Sequence, residues 1–262
     1  FQYLEQHGSK GKVTPAFYTK GLKEQDKGDE TTLGVTPKLM EYWKRYSPQL
    51  FVTASHATQF NLEMPFGKGL IVSGNNRFYA LDKKQFREFT TFLRGVLFNG
   101  KEDDLLSFLK RIKAPVIETR PVPAVWVAAG NCLIGDAKKT KNSMAVTALS
   151  RYGFNPLVGY TVPSWYGKGG WGTLGLLFSN HDASSLAEAW YLNNQFILDE
   201  TMTRFPKLMD VHFNSPDING IKDDPDFARG MNSAGYGMGK DQLGLIHDRD
   251  TVAFYGDPAW TA

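Results

Sequence analysis

The strongest chemical pattern in the chain is a histidine and a thiol that each close an apolar run. His56 ends Leu50-Phe51-Val52-Thr53-Ala54-Ser55, and Cys132, the single cysteine, follows Ala124-Val125-Trp126-Val127-Ala128-Ala129-Gly130-Asn131. Both runs have the length and composition of buried strands. Open parallel sheets bind ligands outside the carboxyl ends of their strands, so two such residues face the same edge of one sheet although they lie far apart in sequence. A free thiol, with a pKa of ~8.5, is only slightly ionised at neutral pH and needs a neighbouring base, for which imidazole is the usual supplier. The small residues beside them, Ser55, Ala57, Gly130 and Asn131, let backbone N–H groups approach a developing oxyanion. Taken singly, a cysteine after a strand is a small buried hydrophobe and a lone histidine a satisfied core or surface residue. Together, at matching strand ends, they point to nucleophilic thiol chemistry.

The elements that must position this pair are legible from periodicity. The first 37 residues are polar and turn-rich and read as an exposed lead-in with one strand near Phe17; 38–262 read as one α/β domain. Residues 37–46 have helical spacing, with apolar positions at 39, 42, 43 and 46. Residues 69–82 read as a hairpin turning at Gly74-Asn75-Asn76, followed by amphipathic helices over 84–97 and 102–112. This hairpin and its two helices, about 69–113, are expected to lie between the two chemical strands. After Cys132 the pattern predicts a helix over about 142–152, a strand over 155–162, a loop over 163–173 carrying Trp165, Tyr166 and Trp171, and a long helix over 184–205. Residues 211–243 read as turn-rich, and 251–255 as a last strand. Strand, helix, strand is the grammar of a parallel sheet. Trp171 and Trp190 read as core residues, and either Glu63 or Asp82 suits a role in orienting His56.

Composition narrows the function classes. The chain has 262 residues, 42% of them hydrophobic, and 30 Lys+Arg against 27 Asp+Glu, a net charge of +3 that is spread along the chain. No basic stripe marks a nucleic-acid partner. The longest apolar run, Ala124 to Ala129, falls far short of the roughly 20 residues of a membrane helix. Gly235-Tyr236-Gly237-Met238-Gly239-Lys240-Asp241 fails the phosphate-loop pattern at Ala234 and Asp241. The acids at 217, 223, 224 and 226 offer calcium donors, yet a solvated turn is the preferred reading because no closing glutamate follows. His7, His181, His212 and His247 lack a two-histidine zinc spacing, so no metal is expected.

The two strand ends resemble those of the gingipain-like branch of the caspase-fold cysteine peptidases, which have an apolar strand ending in His-Gly or His-Ala and a later one ending in a small residue and Cys. Ser143-Met144-Ala145, the Gly159-Tyr160-Thr161-Val162-Pro163-Ser164-Trp165 run and Phe254-Tyr255-Gly256-Asp257-Pro258 are also similar to that family, so the resemblance covers about 50–262. It implies a caspase-like, parallel-rich sheet flanked by helices in three layers, with Cys132 as nucleophile and His56 as general acid/base. It further implies the Ala57 and Cys132 N–H groups as oxyanion donors and Trp165 as a substrate-pocket wall. Asn131 stands where Ala or Ser is commoner, and no segment matches the acidic pocket residue of Arg-specific members. The expected function is a cysteine endopeptidase that needs no cofactor and acts on a peptide or protein substrate. It would be a secreted, processed piece of a larger precursor, able to associate with other fragments of it. The alternatives are a catalytically inactive caspase-fold module that binds through the 163–173 loop, and acyl transfer or transpeptidation on the same dyad.

Overall fold

The computed structural model describes residues 43–44, 49–64, 69–99, 102–119, 123–137, 142–179, 185–213 and 225–259. The expected lead-in over 1–37, most of the helix expected over 37–46, and the acids at 217, 223 and 224 lie outside the described residues.

The central element is β6 (Ala124–Ala128), in which every residue is buried. Successive side chains of a strand point to opposite faces, and both faces here are covered. Ala124, Trp126 and Ala128 enter one core cluster, while Val125, Val127 and Ala129 enter another. That is why this stretch is continuously apolar rather than alternating. It pairs in parallel with β1 (Leu50–Thr53) on one side and β7 (Phe154–Tyr160) on the other, and β8 (Val252–Tyr255) closes the sheet antiparallel to β7. The sheet order is β1-β6-β7-β8.

A second, antiparallel sheet contains β2 (Ala57–Thr58), β3 (Asn61–Glu63), β4 (Gly69–Gly74) and β5 (Arg77–Asp82). The β4–β5 turn places Asn75 and Asn76 at φ 47° and 56°, the two consecutive positive angles of a type I′ hairpin, which asparagine tolerates. Ile71, Phe78 and Ala80 face the main sheet's core, whereas Leu70, Val72, Tyr79 and Leu81 meet Phe89, Phe108 and Leu109 from α1 (Lys83–Asn99) and α2 (Glu102–Arg111). The helix α3 (Met144–Arg151), capped by the Ser143 side chain on Val146 N–H, stitches this sheet to the domain. Its Thr147 hydroxyl meets the Ser73 hydroxyl at 2.6 Å in the interior.

The opposite face of the main sheet carries α4 (Lys168–Ser179) and α5 (Leu186–Arg204). The Ser185–Glu188 capping box starts α5. A 3-10 turn (Pro206–Asp210), α6 (Pro225–Ala234) and α7 (Lys240–Thr251) gather Leu208, Phe213, Phe227, Met231 and Ile246 into a further cluster. The fold is thus α/β, a mixed, mostly parallel sheet flanked by helices.

Two sequence expectations fail here. The loop expected over 163–173 gives way to α4 from Lys168, and the turn-rich stretch expected over 211–243 contains α6 and the start of α7. Glycine misled both readings: it costs about 1 kcal/mol relative to alanine in a helix, but here it permits backbone contact. A Cβ on Gly170 would lie 2.1 Å from the Ala129 carbonyl oxygen, and one on Gly230 would lie 3.3 Å from Val211 Cγ1.

Tyr152 joins three elements. Its hydroxyl accepts from Phe78 N–H at 3.0 Å and donates to the Ile117 carbonyl at 2.7 Å, and burial pushes its pKa up. Tyr152→Phe leaves both backbone groups without that partner. Urea unfolding should show a loss of about 1–3 kcal/mol.

Candidate active site

Because β1 and β6 run in parallel with Thr53 beside Ala128, the chain leaves both strands at the same edge. His56 and Cys132 therefore both lie past the carboxyl ends of neighbouring strands. Cys132 is partly buried, and its Sγ lies 3.8 Å from the Ser164 carbonyl and 3.7 Å from the Ser164 hydroxyl. The His56 side chain is exposed, and no hydrogen bond joins it to the thiol. Directly after the cysteine, Leu133 adopts φ 59°, a left-handed conformation that is rare for a bulky side chain and is held in place by surrounding bonds. Its N–H donates to Val162 C=O at 3.2 Å and its C=O accepts from Asp136 N–H at 3.0 Å.

The two expected oxyanion donors are free of ladder bonding. Glu63 N–H donates to the His56 carbonyl at 2.9 Å. This makes Ala57–Leu62 the non-hydrogen-bonded pair of the β2–β3 ladder, so the Ala57 N–H turns away from β3. The Cys132 N–H has no acceptor among the described residues. Of the two candidate orienting acids, Asp82 is committed elsewhere: its carboxylate accepts from Gln85 N–H at 2.8 Å and caps α1. Glu63 touches the histidine segment through its backbone.

The residue that ties the two strand ends together is Asn131, fully buried between them. Its Oδ1 accepts from the Thr53 hydroxyl at 2.5 Å, and its Nδ2 donates to the Ser55 carbonyl at 2.8 Å and to the Ser55 hydroxyl at 3.2 Å. The Trp126 indole donates to Thr53 Oγ1 at 2.9 Å, and the Ser55 hydroxyl donates to the Glu63 carbonyl at 2.6 Å. A relay thus runs from the core of β6 through Asn131 to β3, spanning both sheets. The amide's two acceptors and one donor partner fix the Ser55-His56 segment relative to Gly130-Asn131-Cys132.

The third wall follows β7. The Ser164 hydroxyl donates to the Gly130 carbonyl at 3.1 Å, locking the Pro163–Trp165 segment against the cysteine turn. Behind it, on α7, lie His247 and Asp248, both fully buried. His247 Nε2 donates to the Pro163 carbonyl at 3.1 Å, and Nδ1 pairs with Asp248 Oδ1 at 2.8 Å, so both ring nitrogens are occupied. The other oxygen, Asp248 Oδ2, accepts from Gly169 N–H at 2.7 Å and from the Tyr160 hydroxyl at 3.3 Å. The acid sits where the N-terminus of α4 offers unpaired N–H groups, a favourable place for a carboxylate. Burial, with Asp248 adding to it, pushes the Tyr160 hydroxyl up. Trp165 is half-buried, its ring centred 5.8 Å from those of both Tyr166 and His247, and its Nε1 is buried without a hydrogen-bond partner among the described residues.

No protein-family model, curated protein or solved structure matches the chain. What the site can do is therefore read from its own geometry. A partly buried thiol, an exposed imidazole and two N–H groups without acceptors among the described residues share one sheet edge, and that set suits nucleophilic attack on an acyl carbon. Among the described residues no three His, Cys, Asp or Glu side chains cluster to hold a metal, and His212 pairs with Asp250 at 3.7 Å; His7 and His181 lie outside them.

Sequence reasoning missed Asn131's bonding role, Ser164, and the His247–Asp248 pair. Adjacent histidine and aspartate on a helix that reads as polar gave no sign of full burial. Trp190 packs on Phe254 at 5.8 Å, as expected of a core residue, but Trp171 does not: it is 51% exposed.

Two outcomes follow from these contacts. Asn131→Asp retains an acceptor for Thr53 but sets a carboxylate against the Ser55 carbonyl, and it should cost about 1–3 kcal/mol in urea unfolding. The second concerns Glu200, which is held below its ordinary value of 4.5 chiefly by the hydrogen bond from Lys168, which burial opposes and a further hydrogen bond from Arg204 assists. A depressed carboxylate stabilises the fold above its unfolded value, and the contribution fades as pH falls through the folded one. The stability lost on acidification from about pH 6 to below pH 4.5 should be smaller in Glu200→Gln than in the wild type.

Proposed function

We propose that the chain is a cysteine endopeptidase of caspase-like architecture, with Cys132 as nucleophile and His56 as general acid/base. The observation that carries this reading is the position of Cys132: half-exposed, past the end of a buried parallel strand, followed by a left-handed residue, and tied through Asn131 to the His56 segment. The antiparallel β8 beside a parallel β1-β6-β7 core is compatible with that architecture.

In this mechanism the Cys132 thiol gives its proton to His56 and the thiolate attacks the peptide carbonyl carbon, forming a C–S bond. The Ala57 and Cys132 N–H groups hold the oxyanion. Collapse breaks the C–N bond, with the His56 proton passing to the leaving amine. Water, deprotonated by His56, then attacks the thioester, and the thiol is regenerated with release of the carboxylic acid. No thiol–imidazole hydrogen bond is formed in the free protein, which is common for catalytic hydrogen bonds that close only around substrate. Trp165 lines the site from the Ser164 side. The resemblance of the strand-end motifs also supports a secreted, processed precursor.

The exposed His56 side chain, with no partner among the described residues, and the nearness of Ser164 to the thiol favour a second reading, a non-catalytic module in which Cys132 is a packed residue. Thiol alkylation across about pH 5 to 9 separates the two. The peptidase reading expects reaction to persist well below the free-thiol value of ~8.5 and to be lost in His56→Ala. It also expects peptide cleavage to vanish in Cys132→Ala while the unfolding midpoint stays near that of the wild type. A thiol that reacts only after unfolding sinks the reading.

A further inference from the structure

A groove of about 540 Å³ opens between α4 and α5, within the roughly 300–1,000 Å³ range of ligand-holding clefts. Trp171 from α4 and Phe196 from α5 line it and are 51% and 59% exposed. Its Trp171 wall approaches the cysteine turn. A Cβ on Gly130 would lie 3.4 Å from Trp171 Nε1, which puts that indole within about 12 Å of the Cys132 Cα, given ~3.8 Å between successive Cα atoms. An extended peptide advances ~3.3 Å per residue, so a side chain within about four residues of the scissile bond can reach it.

The charges beside the groove are already matched. Glu200 pairs with Lys168 and, at 2.6 Å, with Arg204, which in turn pairs with Asp241 at 2.6 Å. Asp241 also accepts from the Tyr166 hydroxyl at 3.1 Å, and Lys168 lies 5.6 Å from the centre of the Tyr166 ring. Burial, and then Asp241, push the Tyr166 hydroxyl up to about 12, so it stays a neutral donor engaged with that acid. Among the described residues these two cations and two anions are paired with one another, so an incoming charged side chain meets no free counter-charge and its desolvation goes uncompensated. An apolar side chain needs no partner and covers two exposed aromatic rings.

We infer that the α4–α5 groove is the specificity subsite of the Cys132 centre and takes a large apolar, best an aromatic, side chain of a peptide substrate. This rests on the peptidase reading. The test uses the full chain and synthetic peptides carrying Phe, Ala, Asp or Arg at each of the four positions on either side of a cleavable bond. One position should favour Phe over Ala, Asp and Arg by about tenfold or more in kcat/KM, and Phe196→Ala should collapse that ratio to near unity. Cleavage with no apolar preference at any position, or a preference unchanged in Phe196→Ala, overturns the inference while leaving the peptidase reading intact.

Binding to Cys132→Ala gives the second arm, read by anisotropy of the same labelled peptides. Tighter binding of the best Phe peptide than of its Ala counterpart by about tenfold, lost on adding Phe196→Ala, supports the groove even where the wild type cleaves nothing and the peptidase reading fails. Equal binding of the two peptides overturns it.

Discussion

The arrangement at the sheet edge depends on satisfying one buried amide. Asn131 is wholly removed from water, and an amide there without partners costs free energy comparable to several ordinary side-chain contacts. It finds its acceptor-side partner in Thr53 and its donor-side partner in Ser55, both on the segment that leaves β1. The bonding can be met only when the ends of β1 and β6 are side by side in the observed register. Thr53 is in turn held by Trp126 in the core, and Ser55 by Glu63 in the second sheet. The relay therefore transmits the order of the core to the two segments that carry His56 and Cys132.

The other side of the edge is fixed by backbone contact. Gly169 and Gly170 bring the start of α4 against β8 and the end of β6, where any side chain would collide. That approach presents the Gly169 N–H to Asp248, which is paired with His247, which braces the Pro163 carbonyl. Pro163 precedes Ser164, whose hydroxyl bonds the Gly130 carbonyl. The cysteine turn is thus clamped from β1 by an amide and from β7 by a hydroxyl. The left-handed Leu133 follows from this confinement: the chain must reverse at once to give its N–H to Val162.

The same closeness creates the groove. With α4 drawn onto the sheet by glycine, Gly172 sits where a Cβ would be 2.1 Å from Asn193 Oδ1, so α4 and α5 also approach backbone to side chain. Asn193 uses that proximity to donate to the Lys168 and Gly169 carbonyls at 3.0 and 2.9 Å. Bulk is then displaced outward, and Trp171 and Phe196 stand at the surface rather than in the core.

Sequence alone determined the elements whose burial is two-sided or whose punctuation is local. Continuous apolar runs marked β1 and β6, the Asn75-Asn76 pair marked the hairpin, and the helical pattern over about 142–152 marked α3, because these signals lie within a few residues of where they act. It also placed His56 and Cys132 at one edge, since a parallel sheet sends every strand end the same way. What only the tertiary structure decided is which side chains meet there. Asn131 reads as a small polar residue before a thiol until Thr53 and Ser55 are brought beside it. His247 and Asp248 read as two polar residues until Gly169 and Pro163 enclose them. The glycines of α4 and α6 read as loop and turn because their use, contact with Ala129 and Val211, depends on neighbours distant in sequence. Bonding of buried polar groups and close backbone packing are set by partners that periodicity does not name.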